Sequence, residues 1–156
     1  MIALKNVMVA TDFGEAADAA LVYGKALAGA FGATLHVIHV AENMFLRPVV
    51  GDPRGLQEAA AKRVQARLTD SDRLTLAARV VVETSDDPAE AIVRYSAVAD
   101  IDLIITGTHG RRGVAHALLG SVAEQVVRNA SCPVLTVKHP EREFVVADVE
   151  ARPIAV

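Results

Sequence analysis

The chain has 156 residues, of which 52% are hydrophobic and 22% charged, with a net charge of −3 at neutral pH. That length suits one domain with one core, and the apolar share excludes a disordered chain. Aromatics make up only 4% with no Trp, and the net charge is negative, which together exclude a nucleic-acid partner bound through base stacking or a basic surface. The lone Cys132 has no intrachain disulfide partner, no leader-like segment is seen, and every Val-rich run is broken well short of the ~20 residues of a membrane span. The expectation is a cytoplasmic protein without a membrane segment.

In chain order, β-rich runs are expected at Lys5–Thr11, Ala33–Val40, Leu76–Thr84, Asp102–Thr106 and Pro133–Lys138, alternating with stretches of helical period. This alternation predicts βαβ units, and runs such as Val7-Met8-Val9-Ala10 or Leu103-Ile104-Ile105 predict strands covered on both faces, hence a mainly parallel sheet. A first helix should bury Ala17, Ala20, Leu21, Gly24, Leu27, Ala28 and Phe31 and stop at Gly32. Glu42–Gly55, with Pro48, Gly51, Pro53 and Gly55, reads as a long loop. A second helix is expected over Arg54–Leu68 with Leu56, Ala60, Val64 and Leu68 inward, its Lys62, Arg63 and Arg67 forming a solvated face.

The third helix has a distinct start, Asp87-Pro88-Ala89-Glu90, which sets a cap, a first-turn proline and a capping-box Glu in register. The fourth should run from Ser121 to Asn129 with Val122, Ala123, Val126, Val127 and Ala130 inward. Beyond Lys138 there is no long periodic run, although Phe144-Val145-Val146 has the character of a short added strand. His36 and His39 in the second strand lack the further ligands a metal site needs, and Cys132 reads as a small buried thiol.

The chemistry concentrates between Gly107 and Ser121, in a connection from a buried strand to a helix that holds Gly107, Gly110, Gly113 and Gly120 with Arg111 and Arg112. Glycines permit positive φ and close approach of backbone N–H groups to an anion, and a helix start at Gly120-Ser121 favours phosphate. Ser121 and Glu124 also have capping-box spacing. No Lys follows a Gly as in a Walker A loop, and a dinucleotide fingerprint would come after the first strand. Asp12, before Phe13-Gly14-Glu15, reads by itself as a cap for the first helix.

The spacing Gly107-x2-Gly110-x9-Gly120-Ser121, the opening Val7-Met8-Val9-Ala10-Thr11-Asp12 and the closing Cys132-Pro133-Val134-Leu135 resemble the ATP-binding type of the universal stress protein family. The resemblance covers residues 3–138 and divides the chain into a domain, 1–138, and a C-terminal tail, 139–156. It implies a three-layer α/β/α fold of the adenine-nucleotide α-hydrolase-like kind, with a five-stranded parallel sheet in the order 3-2-1-4-5. It also implies a homodimer, for which the apolar edge strand Pro133–Lys138 is the expected interface, and a site built from Ala10, Thr11, Asp12, Val40, Gly107, Gly110, Gly120, Ser121 and Val122. In that site Asp12 contacts the nucleoside, the Val40 backbone meets adenine and the glycines hold phosphate. The implied ligand is ATP, or ADP or AMP, with Mg²⁺ arriving on the nucleotide.

Two positions depart from the family pattern: Ala10 stands where ATP binders often have Pro, and Ala123 where some have a hydroxyl residue. No acidic pair stands out to orient a hydrolytic water. The expected role is therefore regulatory nucleotide binding, with at most a weak ATPase. A slow hydrolase or nucleotidyl-transfer enzyme, or a dimeric scaffold without ligand, are the alternatives.

Overall fold

The computed structural model describes residues 1–41, 53–109, 119–140 and 144–145. Its elements run β1 (Asn6–Ala10), α1 (Glu15–Phe31), β2 (Thr34–Ala41), α2 (Pro53–Gln65), α3 (Asp70–Thr75), β3 (Arg79–Thr84), α4 (Pro88–Val98), β4 (Leu103–Gly107), α5 (Ser121–Asn129) and β5 (Val134–Val137). The strands form one parallel sheet in the order β3-β2-β1-β4-β5. Among the described residues no helix is long and apolar enough to cross a membrane.

Consecutive apolar residues in a strand face opposite ways, so β1 feeds two cores. Val7 and Val9 join Leu35, Val37 and Ile105 against Ala20, Leu21 and Ala28 of α1 and Val64 of α2. Met8 joins Ile38 and Ile104 against Ala89 and Ile92 of α4 and Val126 of α5. The small residues of α1 allow close approach to the sheet: a Cβ at Gly24 would collide with Val9 Cγ2. Gly32 ends α1 in the left-handed region at φ 65°, with its N–H bonded to Ala28 C=O.

Several helix faces differ from the sequence expectation. Phe31, Leu56, Val122 and Val127 are exposed, and Leu27 is only half-buried, because each lies on the flank of its helix and the sheet covers a narrower stripe than the apolar pattern. The helix expected to reach Leu68 stops at Gln65. Asp70–Thr75, between the expected helix and the expected strand, forms α3, and β3 begins at Arg79 rather than at Leu76. The start of α3 is a reciprocal box in which Thr69 Oγ1 accepts the Asp72 N–H at 3.0 Å and Asp72 Oδ2 accepts the Thr69 N–H at 2.8 Å. The start of α4 agrees with expectation in its cap and its proline, since Asp87 Oδ1 accepts the Glu90 N–H at 3.0 Å and Pro88 occupies the first turn. The capping-box half of Glu90 does not form: its carboxylate takes Arg94 at 3.3 Å and the Asp87 N–H goes to Ser85 Oγ at 3.1 Å.

Phe144 and Val145 form no strand. The Phe144 N–H donates to Tyr23 Oη at 3.0 Å, its ring meets Tyr23 edge-on at 4.7 Å, and Val145 packs on the α1-side core. Of the expected loop Glu42–Gly55, residues 42–52 lie outside the described residues, as does the expected strand residue Val146. Pro53, Arg54 and Gly55 are not loop but the first turn of α2, where a proline is tolerated because its missing N–H has no helical partner.

Candidate functional site

Strand order reverses at β1, whose neighbours β2 and β4 lead into helices on different faces of the sheet, and such a switch point opens a crevice at the carboxyl ends of the strands. The register Ala10↔Thr106 brings Thr11-Asp12 and Gly107-Thr108 out of the sheet side by side. At that end of the sheet lie the last described residues of β1, β2 and β4, together with the start of α5.

At the end of β1, the buried Thr11 adds a bond from its N–H to Ile38 C=O at 2.9 Å. The chain then turns through two side-chain acceptors: Thr11 Oγ1 takes the Phe13 N–H at 3.0 Å and Asp12 Oδ1 takes the Gly14 N–H at 2.8 Å. Asp12 is thus not the N-cap of α1. That position is Gly14, without a side-chain cap, and Asp12 closes an Asx turn just before it. Phe13 is held at φ 66°, a conformation costly for an aromatic L-residue.

What holds Phe13 there was not visible in the sequence. His39 Nδ1 lies 2.8 Å from the Thr11 carbonyl and donates to it, and its ring packs on Phe13 at 4.3 Å. Arg63 covers Phe13 with its guanidinium carbon 3.8 Å from the ring centroid, and Arg67 lies 4.9 Å away. Arg67 is itself tied to Asp18 at 2.7 Å. Arg63 and Arg67, expected as a plain solvated face, therefore brace the turn that carries Asp12. His36 faces the other way, its Nε2–H aimed at Asn6 Oδ1 at 3.4 Å and its Nδ1 accepting from Tyr95 Oη–H at 2.8 Å, and burial, then the nearby Arg79, lower its pKa.

Val40 presents backbone to the crevice. Ala41 C=O bonds the Ser85 N–H beyond β3, whereas Ile38 C=O bonds Thr11 beyond β1. Alternation along a parallel strand sends the Val40 N–H and C=O to the β1 side, past the last paired residue of that strand.

On the β4 side, Gly107 does not adopt positive φ. It is glycine because α1 arrives there: a Cβ would lie 2.8 Å from both the carbonyl carbon and Cβ of Ala16. Thr108 donates its N–H to Val137 C=O at 2.9 Å and accepts the Gly120 N–H on its own carbonyl, which pins the start of α5 to the end of β4. Gly120 is the N-cap at φ −64° and ψ 154°, so positive φ is not required there either. The expected Ser121–Glu124 box does not form, since Ser121 is the first helical residue and Glu124 donates its N–H to Gly120 C=O while its carboxylate takes Arg128. Among the described residues no side chain caps the first turn of α5, where Ser121 and Val122 are exposed and Ala123 is buried. Gly110, Arg111, Arg112 and Gly113 lie outside the described residues. Cys132, expected to be buried, is half-buried at the foot of β5, where desolvation raises its thiol pKa.

The model of the universal stress protein family matches residues 3–138. The chain belongs to the universal stress protein family. Among family relatives, a universal stress protein of Thermus aquaticus is 34% identical over 145 residues, covering 86% of this chain and 98% of the relative. Another, of Methanocaldococcus jannaschii, is 32% identical over 147 residues, covering 89% and 85%. The universal stress protein UspA of Lactobacillus plantarum has the same fold, with a TM-score of 0.73 at 22% identity over 88% of this chain and 99% of that one. Universal stress proteins have also been solved in complex with cAMP, at TM-score 0.65 and 22% identity, and, from Archaeoglobus fulgidus, with dAMP, at 0.57 and 20%. They cover 88% of this chain in both cases and 99% and 100% of their own.

Proposed function

We propose that this universal stress protein binds an adenine nucleotide, ATP or its shorter relatives ADP and AMP, as a regulatory ligand in the cytoplasm. The observation that carries this reading is the convergence, at the switch point, of the Asp12 turn, the outward backbone of Val40 and the uncapped start of α5 at Gly120-Ser121. Phosphate suits the last of these because orphan N–H groups and the helix dipole favour an anion where no side chain takes them. Asp12 suits the ribose hydroxyls, and Val40 the edge of the base. The family members solved with cAMP and dAMP support an adenine nucleotide as the ligand class. Mg²⁺, on this reading, enters with the triphosphate.

Binding rather than turnover fits the role of Asp12, whose carboxylate braces its own turn. The assembled form on this reading is a homodimer through the β5 edge. Light scattering on the full chain and on a chain ending at Lys138 tests that part.

The nucleotide is tested by thermal shift and calorimetry with ATP·Mg²⁺, ADP, AMP, cAMP and GTP. A ligand that binds only the folded state at a hundred times its Kd stabilises it by about 2.7 kcal/mol. We expect ATP to raise the melting temperature more than GTP, Asp12→Ala to weaken binding, and Gly120→Val to abolish it by filling the space phosphate needs. No shift with any adenine nucleotide at millimolar concentration refutes the reading, and equal ATP affinity in Gly120→Val and wild type misplaces the site.

A further inference from the structure

The sheet has two edges, and β3 forms the one opposite β5. Its sequence, Arg79-Val80-Val81-Val82-Glu83-Thr84, places three half-exposed valines between a cation and an anion. An apolar edge strand with unpaired backbone groups is a template for another strand. Among the described residues no strand pairs with its outer side.

The hydrogen-bond phase of β3 is set by its inner neighbour. Ala41 lies opposite Thr84 and its C=O accepts the Ser85 N–H at 3.0 Å, and His39 lies opposite Val82. In a parallel ladder a residue turns both backbone groups to one side, so Val81 and Glu83 spend theirs on β2, while Val80, Val82 and Thr84 turn theirs outward. The side chains alternate independently. Arg79, Val81 and Glu83 share the face of His36 and Ile38, and Val80 packs on the α1-side core.

We propose that the β3 edge is a self-association surface, on which a second copy of this chain pairs its own β3 antiparallel about a two-fold axis at Val81. That axis sets Val80 opposite Val82 of the second copy, and both residues have outward backbone groups, as a hydrogen-bonded pair requires. It sets Val81 opposite itself and Arg79 opposite the second copy's Glu83, on the same face of the extended sheet. An axis at Val80 or Val82 keeps the bonding phase but leaves Arg79 and Glu83 facing uncharged residues. An axis between residues opposes outward groups to inward ones. Only the axis at Val81 satisfies both the backbone and the charges.

The charges are available for this. Arg79 is exposed, and its charge is felt at His36 and Tyr95, but no carboxylate pairs with it among the described residues. Glu83 holds Arg94 through Oε2 at 2.8 Å, which leaves Oε1 to accept from an incoming guanidinium. The β5 edge, by contrast, reads Val134-Leu135-Thr136-Val137 and carries no charge that could set a register. Pairing at both edges would join protomers into a longer continuous sheet, so the β3 interface makes assemblies beyond a dimer possible.

Sedimentation velocity of the full chain from micromolar to millimolar concentration tests the proposal, independently of nucleotide. Arg79→Glu and Glu83→Arg each place two like-charged pairs across the axis and should weaken association about tenfold or more, while the double swap restores it. Arg94→Gln, which breaks only the internal bridge of Glu83, should leave association as in wild type. Val81→Cys in a Cys132→Ser background should form a disulfide-linked dimer on oxidation, because a residue on the axis lies within bridging distance of its copy. Single swaps that associate like wild type, a double swap that fails to recover, or a Val81→Cys chain that stays uncrosslinked would each overturn the proposal. So would an association insensitive to all the swaps and lost in Thr136→Pro, which would belong to β5.

Discussion

Gly107→Ala separates what the fold demands of the glycine loop from what a ligand demands. A Cβ at this position lies 2.8 Å from the Ala16 carbonyl carbon, 2.8 Å from its Cβ and 3.0 Å from its oxygen. Carbon atoms rest at about 3.5–4.0 Å, so α1 and β4 must separate by roughly an ångström at their tightest crossing. Two of the three atoms are backbone, and no side-chain rotation relieves the contact. Inserting one carbon into a packed interior costs about 1–3 kcal/mol, and we expect the upper part of that range. For a chain of this length each kcal/mol moves the melting temperature by about 2–4 °C, so about 2–3 kcal/mol gives a loss of about 4–12 °C. Thermal unfolding followed by circular dichroism without ligand is the assay, with urea midpoints as a check. Ala16→Gly in the same chain removes one of the 2.8 Å contacts and should recover part of the loss. A ligand-free Gly107→Ala protein that melts within a degree or so of wild type would refute the argument and return Gly107 to a purely ligand-facing role.

Ala77 sits at φ 44°, where glycine has no Cβ penalty, so Ala77→Gly should stabilise the protein by up to about 1 kcal/mol in urea unfolding, and a loss would contradict the strain. The buried His36 has a pKa below its ordinary value of 6.5, chiefly through desolvation and secondarily through Arg79. The unfolded chain takes up that proton first on acidification, so the contribution of His36 is complete above pH 6.5 and is lost as pH falls from there to the lowered folded value. Urea midpoints between neutral pH and about pH 5 should fall less steeply in His36→Gln than in wild type. Equal slopes would remove His36 from the acid response. Arg63→Met keeps much of the stem of the side chain but removes the cation over Phe13, and should cost about 0.5–1 kcal/mol of stability by the same measurement. An unchanged midpoint would show that the stack does not hold the turn.

The strands, the start of α4 and the end of α1 were legible in the sequence because their causes are local: apolar runs, Asp87-Pro88 and Gly32 act within a few residues of themselves. The Thr69–Asp72 box was equally local and marks the start of α3, yet the β-rich run from Leu76 and the helical period up to Leu68 left little room for a six-residue helix between them. Helix faces were legible only in part. Period alone put Leu56, Val122 and Val127 inward, and their exposure depends on how much of each helix the sheet covers.

The sequence by itself determined the alternation of strands and helices, the family and the positions of the glycines, because periodicity and turn chemistry are written into neighbouring residues. The tertiary structure alone decided what those residues touch. It made Gly107 a matter of room for Ala16 and placed Asp12 in an Asx turn. It set His39, Arg63 and Phe13 in one stack, from segments far apart in the chain. The physical reason is distance along the chain: a contact such as Arg63 on Phe13, or Ala16 against Gly107, leaves no periodic trace in either segment, and exists only once the sheet order has brought their elements together.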